Sequence, residues 1–108
     1  MRITYDKLIR DRIPAIMDRA GVRYELAELG GEAFRAALVA KAVEEAEELR
    51  AAGTRDDVVK ELADVLEVLE TLMRLDGIDE AEVRSAQAAR REARGTFERR
   101  LLLRWTDG

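Results

Sequence analysis

Two consecutive stretches, Glu32 to Ala51 and Thr54 to about Leu75, repeat apolar residues at helical spacing with only Ala52 and Gly53 between them. The first carries Phe34, Leu38, Val39, Ala42, Ala46 and Leu49, and Gly53 follows as a stop signal. The second opens on Thr54 as an N-cap with Asp57 three residues on, an Asp-containing variant of the capping box. Two long helices joined so tightly have one compact arrangement, an antiparallel hairpin.

The rest of the chain is read around that hairpin. Pro14 and Gly21 bracket a short helix over 14–20, and Asp79 with Glu82 starts another over about 79–94 that Gly95 ends. "VRYELAELG" reads as an irregular or short extended connection, and "TFERRLLLRW" as a tail, helical or extended. The expected fold class is all-α. It is a helical bundle built on the antiparallel hairpin, which the 79–94 helix and then oligomerisation are expected to complete. Charged residues at 39% and hydrophobic ones at 47%, with a single proline, agree with a helical class. With no linker or repeat, residues 1–108 are expected to form a single domain.

Missing residue types limit the chemistry. Without cysteine or histidine the chain has no disulfide, thiolate nucleophile, imidazole base or Cys/His zinc site. Any metal is then held by oxygen, which selects hard cations such as Mg²⁺, Mn²⁺ or Ca²⁺. No apolar run reaches membrane-spanning length and the start lacks a signal-peptide core, so a soluble cytoplasmic protein is expected.

The acids are not evenly spread. Residues 1–23 carry six basic and three acidic side chains, 84–104 carry seven and two, and 24–83 carry six and seventeen. Such runs are often solvated faces, but two basic ends around an acidic middle also suit a cation and an anion held together. Placing residues about 100° apart separates the two cases. Glu45 falls among Phe34, Leu38 and Leu49, with Glu48 and Lys41 at the edge of that face and Glu47 turned to solvent. Glu61 falls between Val58, Val65, Val68 and Leu72, with Asp64 at the edge. The apolar arc around Glu61 is wide enough to predict burial of that helix from two sides.

A buried, uncompensated carboxylate costs several kcal/mol, so such groups pair, protonate or bind a metal. The spacing i, i+3 sets Glu45 with Glu48, and Glu61 with Asp64, about one turn apart, at similar depth on the two helices. Ordinary ion pairing, Lys41 to Glu45 and Lys60 to Asp64, is the competing explanation.

"EEAEE" followed by "ELAD" reads as E-E-x-x-E and then E-x-x-D on paired helices. This pattern resembles the all-α nucleoside triphosphate pyrophosphatases, the MazG-like and phosphoribosyl-ATP pyrophosphohydrolase-like proteins. The opening "YDKLIRDRIPAI" and the closing "EARGTFERRLLL" look like the ends of that superfamily's small "house-cleaning" subgroup. In that subgroup the closing segment usually has two glycines before the aromatic, where this chain has Gly95-Thr96-Phe97. The resemblance implies hydrolysis of a nucleoside triphosphate, ordinary or non-canonical, to a monophosphate and pyrophosphate. It implies Mg²⁺, or Mn²⁺ in its place, on Glu45, Glu48, Glu61 and Asp64, with Glu44 orienting water. It also implies a homodimer or homotetramer, with a nucleotide as partner and neither a nucleic-acid polymer nor a membrane.

With no covalent machinery available, the simplest chemistry is metal-activated water attacking phosphorus, with Glu44 as a proton acceptor. Lys7, Arg10, Arg91 and Arg94 are the candidate phosphate donors, and Lys41 either bridges a phosphate or neutralises the acids. Phe34, Phe97 and Trp105 are candidates for base stacking or simple packing. Two rivals stand beside this reading. One is phosphoribosyl-ATP pyrophosphohydrolase of histidine biosynthesis, from which "KLIRDRIP" leans away; the other is a non-enzymatic helical interaction module. A di-iron bundle with Glu-x-x-His pairs is excluded by the lack of histidine.

Overall fold

Thr54 Oγ1 accepts a hydrogen bond from the Asp57 amide at 3.1 Å, and Asp79 Oδ1 accepts one from the Ala81 amide at 3.2 Å. Each cap satisfies an amide that the first turn would otherwise leave free, and a helix follows each. The computed structural model describes all 108 residues and contains four helices and no strand. They are α1 (Ile13–Arg19), α2 (Gly31–Ala51), α3 (Arg55–Leu75) and α4 (Glu80–Arg94). Segment 22–30 and the tail beyond Gly95 contain no helix or strand.

Helix ends follow local chemistry. At α1, Gly21 takes φ +72° and the amides of Gly21 and Val22 bond back to Asp18 and Met17 carbonyls at 3.1 and 3.0 Å. At α3, Gly77 takes φ +66° while Gly77 and Ile78 bond back to Arg74 and Met73 at 3.3 and 2.8 Å. This is the Schellman closure, which a residue bearing Cβ makes only under strain. The end of α2 departs from the expected glycine stop. Ala52 goes extended at φ −63° and ψ 122°, Thr54 is extended too, and Gly53 does not adopt the left-handed conformation.

α2 and α3 form the antiparallel hairpin and are the helices packed along their length; no other helix pair makes more than a slight contact. Arg35 clamps the open end by a two-pronged ion pair, Nη2 to Asp76 Oδ2 at 3.0 Å and Nε to Asp76 Oδ1 at 3.2 Å. Phe34, Leu38 and Leu49 of α2 and Val58, Val65, Val68 and Leu72 of α3, the apolar residues expected on the packed faces, are all buried or half-buried.

Within one chain, α4 does not complete a bundle against the hairpin. Its fifteen residues carry one large apolar side chain, Val83, too little to hold it there. The expected two-sided burial of α3 is met on one side only. Its other face shows Val59, Leu62, Leu66 and Leu69 at 51, 48, 52 and 38% exposure. The chain is correspondingly extended, with a radius of gyration of 18.4 Å against about 13 Å for a compact chain of this length. No helix is long and apolar enough to cross a membrane.

Candidate metal centre

Only three residues are buried, and two of them are acids: Leu38 at 4% exposure, Glu45 at 6% and Glu61 at 7%. Glu45 comes from α2 and Glu61 from α3, so hairpin packing drives them together. Asp64, one turn beyond Glu61, joins them, and one carboxylate oxygen from each lies within 4.8 Å of the others. A second group within the same limit is Glu44, Glu45 and Glu48, where Glu45 is common to both.

Burial differs from the helical projection at two places. Glu48, expected at the edge of the inward face, is exposed, and Glu44, which lies between Glu48 and the solvent-facing Glu47 on the same projection, is half-buried. The cause is the irregular segment before α1. It lies over the Glu44 side of α2 and encloses, with Ala37, Ala40 and Lys41, a cavity of about 80 Å³ lined by Asp6, Lys7 and Leu8. Nothing comparable covers Glu48.

Four cations surround the acids. Lys7 Nζ donates to Glu44 Oε1 at 3.0 Å and Arg10 Nη2 to Asp64 Oδ1 at 2.7 Å, across 37 and 54 positions of sequence. Lys41 Nζ lies 3.3 Å from Glu44 Oε2 and 3.7 Å from Glu45 Oε1. Lys60 Nζ lies 3.1 Å from Glu61 Oε1 and 3.7 Å from Asp64 Oδ2. The expected local ion pairs therefore form. They do not use up the carboxylates: Glu45 Oε2 and Glu61 Oε2 are buried with no hydrogen-bond partner. Buried acceptors without partners are rare and costly, and two of them in one cluster of acids call for a proton or a cation.

The titration of the pair follows from this geometry. Burial pushes the Glu45 carboxyl up to about 7, helped by a proton shared toward Glu61 and by the negative charges of Glu48 and Asp64. Glu61 is held below its ordinary value, first by that bond from Glu45 and then by Lys60. At Glu44, burial favours the neutral form, but the hydrogen bond from Lys7 and the charge of Lys41 outweigh it and keep the carboxylate ionised. One proton on Glu45 thus balances five acids against four cations.

The donor set fits a hard divalent cation. All its atoms are carboxylate oxygens, two of them have no other partner, and the site is partly dry. Arg91 and Arg94 sit in the last turn of α4, and the chain does not bring them to these acids by any ion pair or hydrogen bond. Phe34 is half-buried in the hairpin, whereas Phe97 and Trp105 are exposed in the tail. Lys60 contacts two of the acids, Asp64 as the i, i+4 spacing predicts and its neighbour Glu61 in addition.

The hairpin carries acids of both helices, E-E-x-x-E against E-x-x-D, with Glu45 and Glu61 buried between them, the pattern that resembles the all-α nucleoside triphosphate pyrophosphatases. More narrowly, the family model described as phosphoribosyl-ATP pyrophosphohydrolase matches residues 4–91. The chain belongs to that family, within the MazG-like nucleoside triphosphate pyrophosphatase superfamily. The family consists of pyrophosphohydrolases that depend on metal in general, which supports a hydrolase activity here. No curated protein and no solved structure matches the chain.

Proposed function

We propose that this chain is a Mg²⁺-dependent nucleoside triphosphate pyrophosphohydrolase that releases a monophosphate and pyrophosphate. The observation that carries this reading is the pair of partnerless oxygens, Glu45 Oε2 and Glu61 Oε2, both buried in an acid cluster of the hairpin. Glu45, Glu48, Glu61 and Asp64 would hold the ion, Mg²⁺ or Mn²⁺. When bound, the ion supplies charge neutralisation on the phosphates and lowers the pKa of the attacking water. Glu44, ionised and half-buried, would accept that water's proton at its carboxylate, though its two lysine partners keep it a weak base. Lys7, Arg10 and Lys41 lie beside the acids and supply donors to phosphate oxygens. Arg91 and Arg94 would reach the site only if α4 moves or a neighbouring copy provides them.

A second reading has its own support. The matching family model is that of phosphoribosyl-ATP pyrophosphohydrolase, so this substrate stands level with an ordinary or altered nucleoside triphosphate. Product analysis by ³¹P NMR, with Mg²⁺ and a panel of ordinary, deoxy, oxidised and phosphoribosyl nucleotides, tests both. Pyrophosphate with a monophosphate is the expected result, and the nucleotide that yields it decides between the two. No turnover with Mg²⁺ and then Mn²⁺ refutes both and leaves the helical interaction module.

The second apolar face of α3 supports assembly as a homodimer or homotetramer, since four half-exposed aliphatic residues in one stripe seldom stay in water.

The raised Glu45 pKa predicts a pH dependence. Between the ordinary glutamate value of 4.5 and about 7 the metal-free fold binds a proton that the unfolded chain has lost. Stability from this group is therefore complete below about 4.5 and disappears as pH rises through about 7. Glu61, held low, acts in the opposite sense, and its contribution is lost only as pH falls below the ordinary glutamate range. In EDTA the melting temperature is expected to drop between pH 5.5 and 8. Mg²⁺ needs the ionised carboxylate, so its stabilising effect should be larger at pH 8 than at pH 6. A metal-free melting temperature that rises over this range contradicts the assignment.

A further inference from the structure

The segment before α1 has no helix or strand, yet it is fixed to the hairpin at three points. Leu8 lines the small cavity against Ala37 and Ala40, Lys7 donates to Glu44, and Arg10 donates to Asp64. Asp6, in the left-handed region at φ +47°, makes the bend that directs the next residue, Lys7, back onto α2. Aspartate tolerates that conformation better than most residues. Lys7 also lies over the Tyr5 ring, 5.6 Å from its centre, a contact inside the segment that needs no acid.

The four cations at the acids differ in how they are held. Lys41 and Lys60 are rooted on α2 and α3 beside their partners. Lys7 and Arg10 arrive on a length of irregular backbone whose only apolar anchor here is the half-buried Leu8. Five carboxylates, Glu44, Glu45, Glu48, Glu61 and Asp64, are already opposed by four cations. Two further positive charges overfill that balance. The partners least firmly held are then the first to leave.

We propose that residues 5–12 form a strap whose Arg10 and Lys7 are resting counter-ions of the acids, and that an arriving divalent cation displaces Arg10 from Asp64 and loosens the strap. Freed from the carboxylates, the guanidinium and the ammonium turn to the phosphates of the nucleotide. Metal therefore binds first, and the strap closes on phosphate second. This inference rests on the metal-site reading given above and adds an order of events to it. Asp64 Oδ1, now 2.7 Å from Arg10 Nη2, cannot serve a metal and that guanidinium equally well.

The test uses the full chain and Mg²⁺ alone, without nucleotide. Calorimetric titration compares the wild type with Arg10→Gln, which removes the competing charge and leaves a shorter, neutral polar side chain. The variant is expected to bind Mg²⁺ about two- to five-fold more tightly, the range an exposed ion pair allows. Trypsin supplies a second readout on the wild type. Cutting after Lys7, Arg10 and Arg12 should speed up when Mg²⁺ is added, relative to cuts after Arg99 and Arg100 in the tail. Equal or weaker binding by Arg10→Gln, or unchanged or slower cutting of the segment, overturns the strap while leaving the metal site in place. An absence of any Mg²⁺ binding by the wild type removes the metal site and the strap together.

Discussion

Glu61→Gln is expected to lower Mg²⁺-dependent hydrolysis by at least about a thousand-fold, several kcal/mol of lost charge stabilisation, while the hairpin stays folded. The substitution keeps the shape of a side chain that is 7% exposed, so no cavity opens. It replaces one of two buried acids by an amide whose N–H can donate to Glu45, and that supplies the partner which Glu45 Oε2 lacks. The metal-free melting temperature should then match or exceed that of the wild type. Loss of activity alone could report unfolding. Loss of activity together with retained or raised stability reports a ligand, because a purely structural acid would produce the reverse. Retention of full activity by this variant sinks the metal assignment.

The second large effect concerns the uncovered side of α3. Leu62→Asp combined with Leu66→Asp is expected to turn an assembled protein into monomers, weakening association by about a thousand-fold or more. Each leucine, about half-exposed in the single chain, adds roughly 1 kcal/mol or more when covered, and a symmetric interface counts every residue twice. Placing four carboxylates in such an interface adds a desolvation cost. Light scattering at micromolar concentration reads the mass directly. The melting temperature of the wild type should also rise with protein concentration, since a folded assembly is favoured by mass action. A wild type that is monomeric, with a melting temperature independent of concentration, rules out this use of the face. In that event the two aspartates would merely improve solubility.

Much of the hairpin was legible in the sequence because its determinants are local. Thr54 caps where its spacing to Asp57 predicts, and α2 and α3 span nearly the expected residues. Glu45 and Glu61 were legible as inward residues because their apolar neighbours recur at the same phase. Glu48 and Glu44 were less so: a projection gives the direction of a side chain but not the width of the contact it meets, and the covering segment comes from before α1. The contacts of Lys7 and Arg10 span 37 and 54 positions and depend on irregular backbone, which carries no periodic signal. α4 shows the limit of capping arguments, since Asp79 starts the helix well but says nothing of where it docks. The family match weighs evenly on the two substrates that the opening motif had seemed to separate.

The tight link at Ala52–Gly53 bears on how the site comes into being. All four proposed ligands lie between positions 45 and 64, on either side of that link. Closing so short a loop costs little chain entropy, and low contact order makes for fast folding. The acids are therefore forced together among the earliest folding events, before the distant ends or another copy can take part. Carboxylate repulsion is felt first by a bare hairpin, so protons and cations in the medium act on folding itself, and not only on the finished fold.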